Sequence, residues 1–192
     1  FSQESLKNIG KYQNKIADYK RTIKAFHEYG IYVMAGLIIG FDEDTIESIK
    51  KIPDIVQELD IDFPYLAILT PNYGTEIFDQ FNREGRILTR DWSLYNTFNT
   101  VFQPKNMSVD ALNSSYLEIL REIHSISKTF NRVFKNLPIP TSRFPSFLWK
   151  IMDNGYFMSR NLMGRYPLVG VNGRDTFTAK ETNYIQSKQE VV

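Results

Sequence analysis

Two short apolar runs, Ile31 to Ile39 and Phe63 to Leu69, constrain this chain more than any other feature in it. The first, Ile31-Tyr-Val-Met-Ala-Gly-Leu-Ile-Ile39, is continuous, rich in β-branched residues and short, the pattern of a strand covered on both faces. Each run leads through a turn into an amphipathic helix. After Gly40, Asp44 and Glu47 stand at capping-box spacing, and Ile46, Ile49, Ile52, Val56 and Leu59 form a buried stripe to about residue 59. Pro53 lies inside that stripe, where it removes an amide donor and clashes one turn back, so a kink or a restart is expected there. After the second run, Thr70-Pro-Asn-Tyr-Gly-Thr75 closes the strand, and Thr75 caps a helix that stops near Gly85. A helix from about Asn14 to Tyr29, stopped by Gly30, precedes the first strand, and Ser2 caps a short one through Leu6. Strands alternating with helices in this order predict βαβ units with parallel pairing. Two strands alone are marginal and leave long edges unpaired, so the sheet is expected to continue in residues absent from this chain or in another chain.

From Arg90 the character changes. Asp91-Trp92-Ser93 reads as a turn, and Thr97 to Gln103 as a short extended segment with Phe98 and Phe102 on one side. Ser108 caps a long helix whose apolar residues, Leu112 through Phe134, keep helical spacing to about Lys135. Pro138, Pro140 and Pro145 punctuate the chain before a last helix over Phe147 to Met163, weakened at Gly155, and the remainder reads as a polar tail. The fold class is therefore α/β, with a strand-bearing unit over residues 1–103 and a helical extension over 104–192.

Composition removes whole classes of chemistry. There is no Cys among the 192 residues, so disulfides, thiolate nucleophiles and Cys-held iron–sulfur or zinc centres are excluded from them. The two His residues, His27 and His124, have no second ligand at metal spacing and read as ordinary helix residues. Asp42-Glu43-Asp44 lacks the spacing and glycine of a calcium loop, and a helix start explains its acids. No nucleophile elbow or phosphate-cradling glycine loop is present. The longest nearly unbroken apolar run, Ile31 to Phe41, has 11 residues, short of the roughly 20 that cross a bilayer as a helix. The chain opens at Phe1 with no initiator Met and no secretory pattern, which is read as a fragment of a cytoplasmic protein.

Chemistry has two places to sit. Gly36-Leu-Ile38-Ile-Gly40-Phe-Asp-Glu43 is a glycine-punctuated exit from a parallel strand, where open sheets and barrels place ligands. Gly36 and Gly40 would let a flat ring approach the backbone, Ile38 would give it an apolar face, and Glu43 would brace the loop. The same glycines also serve as ordinary turn chemistry. Leu69-Thr70-Pro71 begins the equivalent exit of the neighbouring strand, where a tight Pro turn running into a Thr N-cap is the competing reading.

These segments resemble the radical S-adenosylmethionine enzymes, and within them the cobalamin-binding branch that includes hopanoid and bacteriochlorophyll methylases. Gly36, Ile38, Gly40 and Glu43 match the GxIxGxxE pattern of that family's fifth barrel strand. Leu69-Thr-Pro-Asn-Tyr-Gly-Thr75 is similar to its sixth-strand segment, and Gly85-Arg-Ile-Leu-Thr-Arg-Asp-Trp92 to the stretch beyond that strand. Phe102-Gln-Pro-Lys-Asn-Met-Ser108 is similar to the start of its helical extension. Leu6 to Asn14 resembles the stretch after the fourth strand, with Lys11 at the position of a basic residue that reaches the cofactor. The resemblance covers roughly residues 1–135. It implies the last two strand–helix units of a partial (βα)6 TIM-like barrel, with Gly36, Ile38, Gly40, Leu69, Thr70 and Pro71 around the adenine of S-adenosylmethionine and Glu43 orienting the loop. It also implies a 4Fe–4S cluster and cobalamin held in the intact protein by residues outside this chain, whose missing barrel half and cobalamin domain would be its partners. The implied activity is methylation of an unactivated carbon in a small-molecule or lipid-like substrate, with this chain inactive alone.

Charge is unevenly spread although the net is +1: residues 1–120 carry 12 basic and 17 acidic side chains, whereas residues 121–174 carry 9 and 2. That basic stretch interleaves Arg132, Lys135, Arg143, Lys150, Arg160 and Arg165 with many aromatics, the composition of a surface for anionic membranes or single strands. The alternative is an aromatic core under a solvated cationic face. Peripheral contact with an anionic membrane is expected in preference to nucleic acid, and a second copy could pair through the open sheet edges. A rival reading from another class makes the chain a non-catalytic binding or adaptor module that docks through the same basic aromatic face.

Overall fold

The computed structural model describes residues 16–135 and 141–163. The expected Ser2–Leu6 helix, Lys11, Pro138, Pro140, Arg165 and the polar tail lie outside them. Helix α1 (Ile16–Glu28) ends where Gly30, at φ 72°, turns the chain so that Ile31 N–H reaches the Phe26 carbonyl at 2.9 Å. Strand β1 (Met34–Ile39) comes next, shorter than the apolar run by its first three residues. The helical stretch after it is split into α2 (Ile46–Ile49) and α3 (Ile52–Glu58), and Pro53 occupies the first turn of the second piece, so the restart holds. The cap of α2 is not the Asp44/Glu47 pair. Thr45 and Ser48 form the capping box, which frees Asp44 for another task.

Strand β2 (Phe63–Ile68) pairs with β1 in parallel, with Met34 beside Phe63 and Ile39 beside Ile68. Helix α4 (Glu76–Arg83) is capped by Thr75 and released at Gly85, φ 69°, as expected. A one-turn helix over Trp92–Leu94 and an antiparallel bridge between Ile87 and Phe102 then carry the chain to Ser108, the cap of α5. Phe98 and Phe102 do not share a partner: Phe98 meets Tyr65 edge-on, and Phe102 lies against Phe81.

The long helix expected from Ser108 to Lys135 is two helices, α5 (Val109–Ile123) and α6 (Ile126–Phe134). Ser125 breaks it, because its backbone is extended and its hydroxyl caps α6 through the Lys128 amide. Helix α7 (Phe144–Leu162) begins three residues before Phe147, with Pro145 in the first turn that tolerates it, and runs through Gly155 unbroken.

The core lies on one face of the sheet. Leu37 and Ile39 of β1 and Leu66 and Ile68 of β2 cluster with Ile49, Ile52 and Val56 and with Leu112, Tyr116, Ile119 and Ile123 of α5. Alternation along β1 sends Met34, Gly36 and Ile38 to the other face, where all three are exposed.

The two sheet edges differ. Phe63 and Leu69 donate to Val33 and Ile39, so the odd residues of β2 bond to β1 and the even ones face outward. That outer edge is closed: Pro64 has no N–H, the Leu66 carbonyl accepts from the Tyr116 hydroxyl, and Ile68 N–H donates to Thr97 at 2.7 Å. On β1 the outward backbone groups belong to Met34, Gly36 and Ile38, and no strand pairs with them among the described residues.

Candidate functional site

Because Ile39 and Ile68 are register partners and Leu69 N–H bonds to the Ile39 carbonyl at 2.8 Å, the loops after β1 and β2 leave the sheet side by side. Gly40, Glu43, Leu69, Thr70 and Pro71 are thereby gathered at one end of the sheet, and Gly36 and Ile38 lead to them along the exposed face of β1. The two glycines do different things. A Cβ on Gly36 would meet nothing within 4 Å, so its face of β1 is open to a ligand. Gly40 instead sits at φ 99° with Leu112 and Phe102 closing on the place of its missing Cβ, at 3.1 and 3.3 Å. Its lack of a side chain serves the turn and the packing. Ile38 is 43% exposed beside Gly36, whereas Leu69 and Pro71 are buried and offer backbone. Thr70 turns its hydroxyl back to the Ile68 carbonyl.

The carboxylate that holds the first loop is Asp44, a residue whose sequence context marks it only as a helix start. Its Oδ2 accepts the amides of Gly40 at 2.8 Å and Phe41 at 3.0 Å. Burial raises the Asp44 pKa despite those two donors. Glu43, half-buried next to it, remains the acid that the family pattern marks.

A second set of residues, not singled out by the sequence, reaches this rim. Arg86 is buried, stacks 4.0 Å over the Phe81 ring, and bonds to Asp42 at 2.6 Å, Glu84 at 2.9 Å and the Gln103 carbonyl at 2.8 Å. Lys105 pairs with the same Asp42 at 2.6 Å, and Asn106 donates to the Asp42 carbonyl. Burial would raise Asp42, but Arg86 and Lys105 outweigh it and hold its carboxyl below the usual range. The loop after β1 is thus tied to the segment leading into α5. The signal for this clamp lies in the Gly85-Arg and Pro104-Lys-Asn stretches, which the family resemblance includes without assigning them a task.

At the opposite end of the sheet is a buried polar hub. Asp62, just before β2, accepts from His27 Nε2 at 2.8 Å, Val33 N–H at 2.8 Å and Lys150 Nζ at 2.6 Å. Burial alone would raise its pKa; the His27 bond and Lys150 bring it below the ordinary value. Asn154 of α7, fully buried, donates to the Asp62 carbonyl and accepts from Arg132 Nε at 2.7 Å. Tyr32 donates to Asp153 at 2.8 Å, and burial raises its pKa. His124 stacks on Phe157, its Nδ1 without a partner, and burial, with the Arg132 charge second, depresses it to about 3. This hub corrects the basic-surface reading at two positions: Arg132, 2% exposed, and Lys150, 8% exposed, are interior groups. Ile126, Phe130 and Phe134, which keep the helical spacing of the apolar residues before them, are exposed, as the surface reading of the aromatics has it for the two phenylalanines. His27 is a member of the hub, holding α1 to β2.

The class defined by this fold is an α/β chain with parallel strands whose exits form one rim. Residues 75–186 match the family described as a domain of unknown function, DUF4070, and the chain belongs to that family. It is 28% identical over 143 residues to bacteriochlorophyllide d C-12(1)-methyltransferase of Chlorobaculum tepidum, covering 74% of this chain and 31% of that protein. It is 25% identical over 132 residues to bacteriochlorophyllide d C-8(2)-methyltransferase of the same organism, 62% of this chain and 29% of that one. It is 28% identical over 87 residues to hopanoid C-2 methylase of Rhodopseudomonas palustris, 45% of this chain and 16% of that one. The chain thus spans about a third or less of the length of these relatives, and the resemblance to hopanoid and bacteriochlorophyll methylases is borne out.

Proposed function

We propose that this chain is the C-terminal portion of a radical S-adenosylmethionine methyltransferase, contributing the adenine side of the S-adenosylmethionine site, with cobalamin serving the same reaction. The observation that carries the reading is the open face of β1: Gly36 and Ile38 are exposed next to an unpaired strand edge, on the side where the loops after β1 and β2 emerge. An unpaired edge flanked by exposed glycine and isoleucine suits a sheet that continues into further barrel strands, while the opposite edge of β2 is closed as the last strand of such a sheet would be.

The residues fit an adenine ring. Gly36 leaves room over the backbone, Ile38 gives an apolar wall, and, with the Leu69 N–H committed to Ile39 and Pro71 lacking one, the Thr70 N–H can donate to a ring nitrogen and the carbonyls of this segment can accept the exocyclic amine. Asp44 and the Asp42–Arg86–Lys105 clamp fix the loop beside them. The chemistry that such cofactors supply is methyl transfer to an unactivated carbon. No Cys is present to hold a cluster, so its ligands are not among these residues and no step is assigned to them. The names of the relatives, a pigment precursor and a hopanoid, point to a hydrophobic substrate.

Gly36→Val in the protein purified from its source tests the reading by equilibrium dialysis with S-adenosylmethionine. A side chain there would fill the open face, so affinity should fall by roughly tenfold or more with the melting temperature unchanged. Unaltered affinity would overturn it.

A further inference from the structure

We infer that the outward face of α7, continued onto α6, docks on an anionic lipid bilayer surface. The helix is inside out. A surface helix ordinarily buries its apolar stripe and exposes its polar one, yet here Lys150 and Asn154 point inward, and Asp153 is taken by Tyr32. Outward are Phe144, Leu148, Trp149, Met152, Tyr156 and Leu162, between 45% and 63% exposed. At ~100° per residue they share an arc of about 140° with no charged residue in it. The helix cannot roll over to hide them, because Lys150 is paired with Asp62, and Asn154 is bonded to Asp62 and Arg132.

The face extends past α7. Ile126, Phe130 and Phe134 recur every fourth residue along the exposed side of α6, and Phe134 meets Phe147 at 6.2 Å where the two helices join. Cations border it. Arg143 enters α7, and Arg160 lies 5.7 Å over the Tyr156 ring, and neither pairs with a carboxylate among the described residues. Lys128 and Lys135 differ, being paired with Asp54 and Asp60. Arg160 beside Tyr156 and Arg143 at the N-terminal end of the helix, with no carboxylate partner among the described residues, match the headgroup layer of an anionic membrane, with aliphatic and phenyl groups entering below it.

The helix would lie in the plane of the surface, since no described helix is long and apolar enough to cross a membrane. Single-stranded nucleic acid fits less well. It needs a row of cations among the aromatics, and Arg132 and Lys150 are buried. Two-fold pairing of this face with a second copy would gather the arginines of both chains without an acid to receive them. This inference does not depend on the reading of the rim.

Flotation of the protein purified from its source with vesicles of phosphatidylcholine alone, and with phosphatidylglycerol added at roughly a third, provides the test. Co-flotation with the anionic vesicles is expected, weaker by roughly tenfold or more in the Trp149→Glu, Met152→Glu double variant. Both side chains are more than half exposed, so an unchanged circular dichroism spectrum should accompany the loss. Arg143→Glu with Arg160→Glu should reduce the anionic preference about fivefold per residue. Four results would overturn the proposal: no flotation with either vesicle, equal flotation with both, flotation indifferent to the glutamates, or a dimer by light scattering that the same glutamates dissociate. Tight binding of a single-stranded oligonucleotide through this face would likewise reassign it.

Discussion

Gly36 and Gly40 stand four positions apart in one motif, and what separates them is the space around each. Gly40→Ala must place a side chain at φ 99° and push it against Leu112 and Phe102, so it should cost about 2 kcal/mol in urea denaturation. Gly36→Ala meets open space and should change stability by less than about 0.5 kcal/mol. Periodicity marks both as turn or ligand residues, and only the third dimension divides them. His124 makes a separate prediction. Its pKa falls from 6.5 to about 3 on folding, chiefly through burial, so between those values the unfolded chain binds the extra proton. Stability therefore rises with pH across that window and is lost as pH falls through it, by a few kcal/mol in all. His124→Phe, which keeps the stack on Phe157, should flatten the dependence of thermal midpoint on pH between about 6 and 4.

Among the elements, the helix ends and strands are the legible part, because caps and β-branched runs are local physics. Thr75, Ser108, Gly30, Gly85 and Pro53 each do what their neighbours in sequence demand. The break at Ser125, hidden in the periodicity, has the same local cause: a serine hydroxyl competing for the Lys128 amide inside an otherwise helical apolar pattern. Ser125→Ala should accordingly cost about 1 kcal/mol, read by chemical denaturation, and lower the helical signal near α6. Long-range ties are not legible. Arg86 finds Asp42 across 44 positions, and no spacing rule connects them. Nor does helical periodicity say which side of α6 or α7 faces the protein, since their inward faces are chosen by polar partners, Asp62 and Asn154, rather than by apolar ones. Arg86→Met keeps the packing over Phe81 but leaves Asp42 with Lys105 alone. It should cost about 2 kcal/mol in urea denaturation and increase amide hydrogen exchange in residues 40–45.

Taken whole, the molecule is fastened at both ends of its sheet by charge. At the rim, Arg86 ties the first loop to the start of α5; at the base, Asp62 gathers α1, β1 and α7. Among the described residues the polar ties of α7 to the sheet end lie at this base, beside the Phe157–Phe63 contact, so loosening Asp62 should release that helix before the core formed by α5 melts. Asp62 has a folded pKa below 3.8, so its contribution is present above that value and is lost as pH falls through the folded pKa. His124, in the same region, destabilises earlier, from 6.5 downward, and the two losses come one after the other in the same direction. Acidification should therefore expose the base in two stages, read by tyrosine and tryptophan fluorescence and by amide exchange in α7. Asp62→Asn removes the charge partner of Lys150 and should bring the second stage to neutral pH, with a stability loss of roughly 3 kcal/mol. Adding Lys150→Met to it removes the orphaned buried cation and should recover part of that loss, a non-additivity of about 1 kcal/mol or more in the double-mutant cycle. Strict additivity would mean that α7 is held by Asn154 and its ring contacts alone, with the Asp62–Lys150 pair a bystander.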